Sequence, residues 1–87
     1  KGRETLCNEI ATIHHTVVCY ESVHRIIKTL ASLELIMPER TITLARELTK
    51  MFESIQTGTA QSLRESFDNN PESLRGEYVI IVHPIKS

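Results

Sequence analysis

Tryptophan is absent from the 87 residues, and the aromatic side chains are confined to Tyr20, Phe52, Phe67 and Tyr78. Four scattered rings make a poor base-stacking platform. Cysteine is equally scarce. Cys7 and Cys19 are the whole complement, too few for the disulfide framework of a small secreted scaffold, and they read as reduced thiols of a cytosolic protein. No sign of charge dominates: 10 Lys and Arg face 11 Asp and Glu, for a formal net charge of −1. Binding of nucleic acid by bulk charge is therefore excluded, although a local basic rim is not. The longest strictly apolar run, Val79-Ile80-Ile81-Val82, falls far short of the roughly 20 residues of a membrane helix, so no membrane partner is expected. The opening Lys1-Gly2-Arg3-Glu4 is polar with no apolar stretch behind it, which gives no signal peptide. The chain starts with Lys rather than Met, as an excised domain would.

What is present is ordinary for a folded domain. Hydrophobic residues make up 40 % and charged residues 24 %, proportions of a globular chain rather than a disordered one. One small domain is expected over residues 1–87. At this size only about 60–65 % of the unfolded surface is buried on folding, so the stability margin is thin.

Periodicity predicts the elements. Leu6, Ile10 and Ile13 fall on one stripe of a helix over 3–13, with Cys7 beside them. Residues 16–20, Thr-Val-Val-Cys-Tyr, form a β-branched and aromatic run that suits a strand buried on both faces. Ser22 can cap a helix over 23–34, lined by Val23, Ile26, Ile27, Leu30 and Leu33, and Pro38 stops it. Ile42 and Leu44 alternate with Thr41 and Thr43 in a strand over 41–46. Residues 52–57 read as an edge strand ended by Gly58. Thr59 caps a helix with Ala60, Leu63 and Phe67 on one face, and Asp68-Asn69-Asn70-Pro71 closes it. Residues 77–82 form a last buried strand. The order α-β-α-β-β-α-β predicts an α/β domain with about four strands covered by helices. The short hop from 46 to 52 implies an antiparallel pair and hence a mixed sheet.

Ionisable groups collect where two of these strands end. Strand 16–20 runs into Glu21, Ser22, His24 and Arg25, and strand 41–46 runs into Arg46, Glu47 and Lys50. Ligands of α/β sheets favour the crevice outside the carboxyl ends of strands. If the two strands are parallel neighbours, His24, Arg25, Arg46, Glu47 and Lys50 rim one surface, either as a ligand site or as a solvated rim of salt bridges. A helix beginning at Ser22 would aim its N–H groups at an anion there. Gly76, before the last strand, is either a turn device or a place where a ligand approaches the backbone closely. His14, His15, His24, His83 and the two cysteines show no metal-ligand spacing, so no metal is expected. No G-x-S-x-G elbow or Gly-rich phosphate loop exists.

Several of these segments resemble one family. Cys-Tyr-Glu-Ser-Val-His-Arg at 19–25 is similar to its F-Y-E-S-P-H-R segment, and Ala-Arg-Glu-Leu-Thr-Lys at 45–50 repeats its A-R-E-L-T-K segment. Gly58-Thr59 matches a G-T before a helix, Arg75-Gly76-Glu77 matches a K-G-E before an apolar strand, and Lys1-Gly2-Arg3 matches a basic stretch ahead of them all. The family is the ribosomal RNA small-subunit methyltransferase I group of the tetrapyrrole methylase superfamily. Cys19 for Phe and Val23 for Pro are the departures. The resemblance implies the carboxyl-terminal domain of a two-domain enzyme. Such enzymes bind S-adenosylmethionine between their domains and methylate the 2′-hydroxyl of a cytidine in small-subunit ribosomal RNA. It implies an absent amino-terminal domain, an inactive fragment, and a homodimer for the whole protein. By position, Tyr20, Glu21, Ala45, Gly76 and Glu77 would lie along the cofactor. Ser22, His24, Arg25, Arg46, Thr49 and Lys50 would face the RNA, and Glu47 and Lys50 are the candidates for catalysis. A tetrapyrrole or other small-molecule methyltransferase and a non-enzymatic interaction domain are the competing readings.

Overall fold

The computed structural model describes residues 3–12, 15–48 and 51–85, with side chains described for 7–12, 15–47 and 54–85. The element order is the one the periodicity predicts. Helix α1 (Arg3–Ala11) is followed by β1 (Val17–Ser22), α2 (Ile26–Ile36), β2 (Ile42–Leu48), β3 (Met51–Gly58), α3 (Ala60–Asn69), a 3-10 turn (Pro71–Ser73) and β4 (Glu77–Val82).

The sheet order is β1-β4-β2-β3. Where a mixed sheet was expected, all three pairings are antiparallel. The expected hairpin between β2 and β3 is present, but β1 and β2 are not neighbours. The uniformly apolar β4 takes the place between them and runs against both. The two outer partners of β4 therefore still point the same way.

The helices build a one-sided core. Cys7 and Ile10 of α1, Ile26, Leu30 and Leu33 of α2, and Ala60, Leu63 and Phe67 of α3 pack with Ile42, Leu44, Tyr78, Ile80 and Val82 of the sheet. The strand residues in that cluster alternate, as the period of two requires. Their neighbours face the other way, and no helix among the described residues covers that face: Val18 is 56 % exposed, Tyr20 74 % and Ile55 68 %. The expectation that 16–20 is buried on both faces is thus corrected. β1 is an edge strand with one buried face, because its β-branched run is covered on one side only.

The start of α2 also differs from expectation. Ser22 is still extended and pairs with Glu77, and its carbonyl accepts from the Arg25 N–H at 3.1 Å. Residues 23–25 form a turn, and the helix begins at Ile26 with no side-chain cap. The three turn residues between Ser22 and Ile26 take Ser22 out of the N-cap position.

At α3 the predicted cap holds. The Thr59 hydroxyl accepts from the Ser62 N–H at 3.2 Å, and Ser62 Oγ accepts from the Thr59 N–H at 3.0 Å, closing a capping box. Gly58 makes room for it, since a Cβ there would collide with Ser62 Oγ. The Tyr78 ring packs edge-on against Phe67, with centroids 5.5 Å apart, and its hydroxyl donates to the Ser73 carbonyl at 2.7 Å. Arg40, only 7 % exposed, donates to the carbonyls of Ala11 at 3.2 Å and His83 at 3.4 Å. It thereby ties the negative end of the α1 dipole to the exit of β4.

Two outcomes follow. Gly58→Ala should cost about 1–2 kcal/mol in urea unfolding, because it displaces the capping hydroxyl. The same change in a Ser62→Ala background should cost clearly less, because the two sites are coupled. The second outcome concerns alkaline pH. Burial pushes the Tyr78 hydroxyl above its ordinary value, against the opposing charge of Arg46. The native state then holds this proton more tightly than the unfolded chain. Stability should fall as pH rises from about 10 through the folded-state value, and Tyr78→Phe should remove that part of the slope in denaturation curves.

Candidate functional site

Antiparallel pairing of β4 with both β1 and β2 brings the carboxyl ends of β1 and β2 to one edge, beside the start of β4. Three cross-strand rows cross this edge. Ser22, Glu77 and Glu47 are in register in the outermost row. Glu21, Tyr78, Arg46 and Ser54 form the second, and Tyr20, Val79, Ala45 and Ile55 the third.

Alternation sends the rows to different faces. The second belongs to the helix side, where Tyr78 lies in the core. The first and third belong to the open side. Ala45 and Val79 are each 6 % exposed without joining the helix-side core. They are covered by their sheet neighbours and form the floor of a shelf, with Tyr20 and Ile55 standing at its sides. Ser22, Glu77 and Glu47 make the polar lip. Among the described residues the ion pairs are Arg25–Glu21 and Arg64–Glu34, so the lip carboxylates are not engaged by a cation of those residues. In-register carboxylates on adjacent strands repel each other and favour a positive group between them.

The pairing of β2 with β3 slips between Arg46 and Glu47, where Arg46 opposes Ser54 but Glu47 opposes Phe52. Bulges of this kind re-aim side chains at the ends of strands. Gly76 has φ 79°, in the left-handed region that favours glycine, and it leads into β4 beside the lip. The turn reading of this residue therefore has a direct backbone basis.

Glu21 is used differently from Tyr20 and Ser22 on either side of it. Its Oε1 accepts from the Ser22 N–H and from Arg25 Nε, both at 3.2 Å, and its Oε2 accepts from Thr29 Oγ1 at 2.6 Å. The carboxylate clasps the 22–25 turn to the first turn of α2 in place of the missing cap. Beside it a cavity of about 240 Å³ opens between α1, α2 and β1, where Cys7, Cys19, Arg25 and Thr29 are among the lining residues. Burial and the Glu21 charge push the Cys19 thiol up from its ordinary value, so it stays protonated and unreactive near neutral pH. His24 is exposed in the turn, and the Arg25 side chain is 65 % exposed. Arg46 is half-buried on the helix side, with Nε buried and unbonded. Thr49 and Lys50 lie outside the described residues, as do Lys1 and Gly2. Among the described residues no His, Cys, Asp and Glu group has the makings of a metal site.

The sequence reading did not mark Val79, Ile55 or Thr29. Val79 sits inside a uniformly apolar run, where nothing distinguishes the two faces. The role of Thr29 depends on a turn whose start was placed elsewhere.

Over 83 residues the chain is 41 % identical to the ribosomal RNA small subunit methyltransferase I of Haemophilus influenzae. The chain is similar to a part of that methyltransferase. Similar relatives are the methyltransferases I of Vibrio cholerae, 39 % identical over 84 residues, and of Synechocystis, 35 % identical over 83. Each comparison covers 94–95 % of this chain but 29 % of the relative. The chain thus spans less than a third of the length of these methyltransferases I. No protein-family model matches it.

The Glu21 clasp can be separated from a surface ion pair. Glu21→Ala leaves the buried Thr29 hydroxyl and the turn without an acceptor, and should cost about 1–3 kcal/mol in urea unfolding. Arg25→Ala removes only an exposed partner and should cost less than about 1 kcal/mol.

Proposed function

We propose that this chain is the carboxyl-terminal domain, residues 1–87, of a two-domain S-adenosylmethionine-dependent methyltransferase acting on small-subunit ribosomal RNA. Its acceptor is the 2′-hydroxyl of a cytidine, and the open shelf forms one wall of the cleft between the domains. The observation that carries the reading is the register at the sheet edge. It puts an apolar floor, an exposed aromatic ring and two carboxylates side by side on the face that the chain's own helices leave uncovered.

The residues suit such a cofactor chemically. Tyr20 offers a ring face to a flat base, Val79 and Ala45 offer an apolar floor, and Glu47 and Glu77 offer acceptors to positive groups. When bound, S-adenosylmethionine supplies a methyl group on a positively charged sulfur, and in-line transfer from it asks the protein mainly for positioning. In this reading Glu47 accepts the proton of the ribose hydroxyl as general base, and Lys50 is the candidate cation for the developing oxyanion. His24 and Arg25, exposed beyond β1, would meet RNA phosphates together with Thr49 and Lys50. Glu21 and Arg46, turned to the helix side, would act by holding the 22–25 turn and the end of β2.

The remaining cofactor and substrate groups belong to the amino-terminal domain, so the isolated chain transfers no methyl group. The whole protein is a cytoplasmic homodimer in this reading. Among the described residues no helix is long and apolar enough to cross a membrane.

The test uses the full-length protein. Tyr20→Ala should raise the dissociation constant for S-adenosylmethionine about tenfold, or ~1.4 kcal/mol, in calorimetry. Melting temperature should hold. Leu35→Ala, at an 82 % exposed site on α2, should leave affinity unchanged. Equal affinity of the Tyr20→Ala and parent proteins would remove the shelf from the cofactor site. Methylation of a tetrapyrrole rather than RNA would overturn the substrate.

A further inference from the structure

The open face has a second polar feature at the end of the sheet away from the lip. Thr43 of β2 and Thr57 of β3 are direct partners, with hydroxyl oxygens 2.8 Å apart. His83 follows β4, and its N–H donates to the Thr41 carbonyl at 3.0 Å. This holds the imidazole over β2, with Nε2 at 2.8 Å from Thr43 Oγ1. The three side chains, with Thr41, Pro84 and Ile85, line a cavity of about 440 Å³, ample for a phosphate group.

We infer that this Thr57–Thr43–His83 relay is an oxyanion site that takes a backbone phosphate of RNA. The choice of RNA as the source rests on the function proposed above. The argument is a count of protons. The Thr43 hydroxyl has one proton and two neighbours within hydrogen-bond distance, so it donates to one and accepts from the other. If His83 Nε2 accepts, the protons run from Thr57 through Thr43 to the imidazole, and neither hydroxyl has one left for the cavity. If His83 Nε2 donates, Thr43 donates to Thr57, and the Thr57 proton is free to point outward. An oxyanion at Thr57 selects the second arrangement, in which Nε2 carries a ring proton.

The surroundings agree in sign. Arg40 lies buried behind His83, donates to its carbonyl, and forms no ion pair among the described residues. Glu39 is the carboxylate lining the adjoining cavity on the Arg40 side, and its residue is exposed. By strand rise, Thr43 lies about 13 Å along β2 from Glu47. An RNA strand whose ribose sits at the lip would reach the relay with the phosphate of a nearby nucleotide.

The experiment titrates the 87-residue chain with inorganic phosphate, with sodium chloride as the ionic-strength control, and follows the His83 ring and the Thr43 and Thr57 amides by NMR. Phosphate should shift these signals saturably where chloride does not. Thr57→Val should weaken binding about fivefold or more. Thr57→Ser, which keeps the hydroxyl, should bind as the parent does, so a fold defect and a lost proton are distinguished. A short single-stranded RNA should displace the phosphate. Absence of saturable shifts, or equal binding by Thr57→Val, overturns the site. Saturable phosphate binding that RNA does not compete for overturns RNA as the source, independently of the Tyr20→Ala result at the shelf.

Discussion

The architecture depends on one pairing constraint: β4 lies between β1 and β2 and is antiparallel to both. Its Val79-Ile80-Ile81-Val82 run has no polar residue to spare for solvent on either side, which suits a central position and no other. Once β4 is central, the two strands flanking it point the same way. Their carboxyl ends then flank Gly76 and Glu77. Segments more than 20 residues apart in sequence come together at this edge through backbone hydrogen bonding alone.

A domain this small has one core, and helices α1, α2 and α3 are spent on one side of the sheet. The other side is left with Val18, Tyr20 and Ile55 in water. Exposed apolar surface of this kind marks an interaction or ligand face more often than it marks a finished surface. That asymmetry is consistent with the chain's share of its relatives' length. The reading of the shelf as a cleft wall gives the uncovered face a use, and it needs no rearrangement of the helix-side core.

Much of the fold was legible in the residues. The 3.6-residue spacing of Ile26, Leu30 and Leu33, the capping Thr59, the alternating Ile42 and Leu44, and the apolar β4 each announced their element. Strand order was not, because it is set by which strand tolerates burial on both faces. β1 and β4 compete for that role on composition alone. The run at 16–20 looks as apolar as β4, and polar ends do not separate the two, since the central strands themselves carry Glu77, Arg46 and Glu47 at the same edge. The local residues thus leave more than one arrangement open. The clasp of Glu21 onto Thr29 was hidden for the same reason. A cap at Ser22 and an acceptor at Glu21 are alternative ways to begin α2, and the local residues permit both.

The candidate site shows where a contiguous motif misleads. Tyr20, Glu21 and Ser22 stand together in sequence and resemble the family as one block, as do Ala45, Arg46 and Glu47. In a strand, though, the middle member of each block points away from its neighbours. Tyr20, Ser22, Ala45 and Glu47 share the open face, while Glu21 and Arg46 lie in one row on the helix side with Tyr78 between them. The block therefore joins two tasks. Its odd members can meet a ligand only if its even members hold the turn and the strand end in place. A charge-conserving change at Glu21 or Arg46 acts on the shelf through backbone position, whereas a change at Tyr20 acts on it directly. Similarity over the whole block thus reports the shape of the edge as much as the chemistry on it.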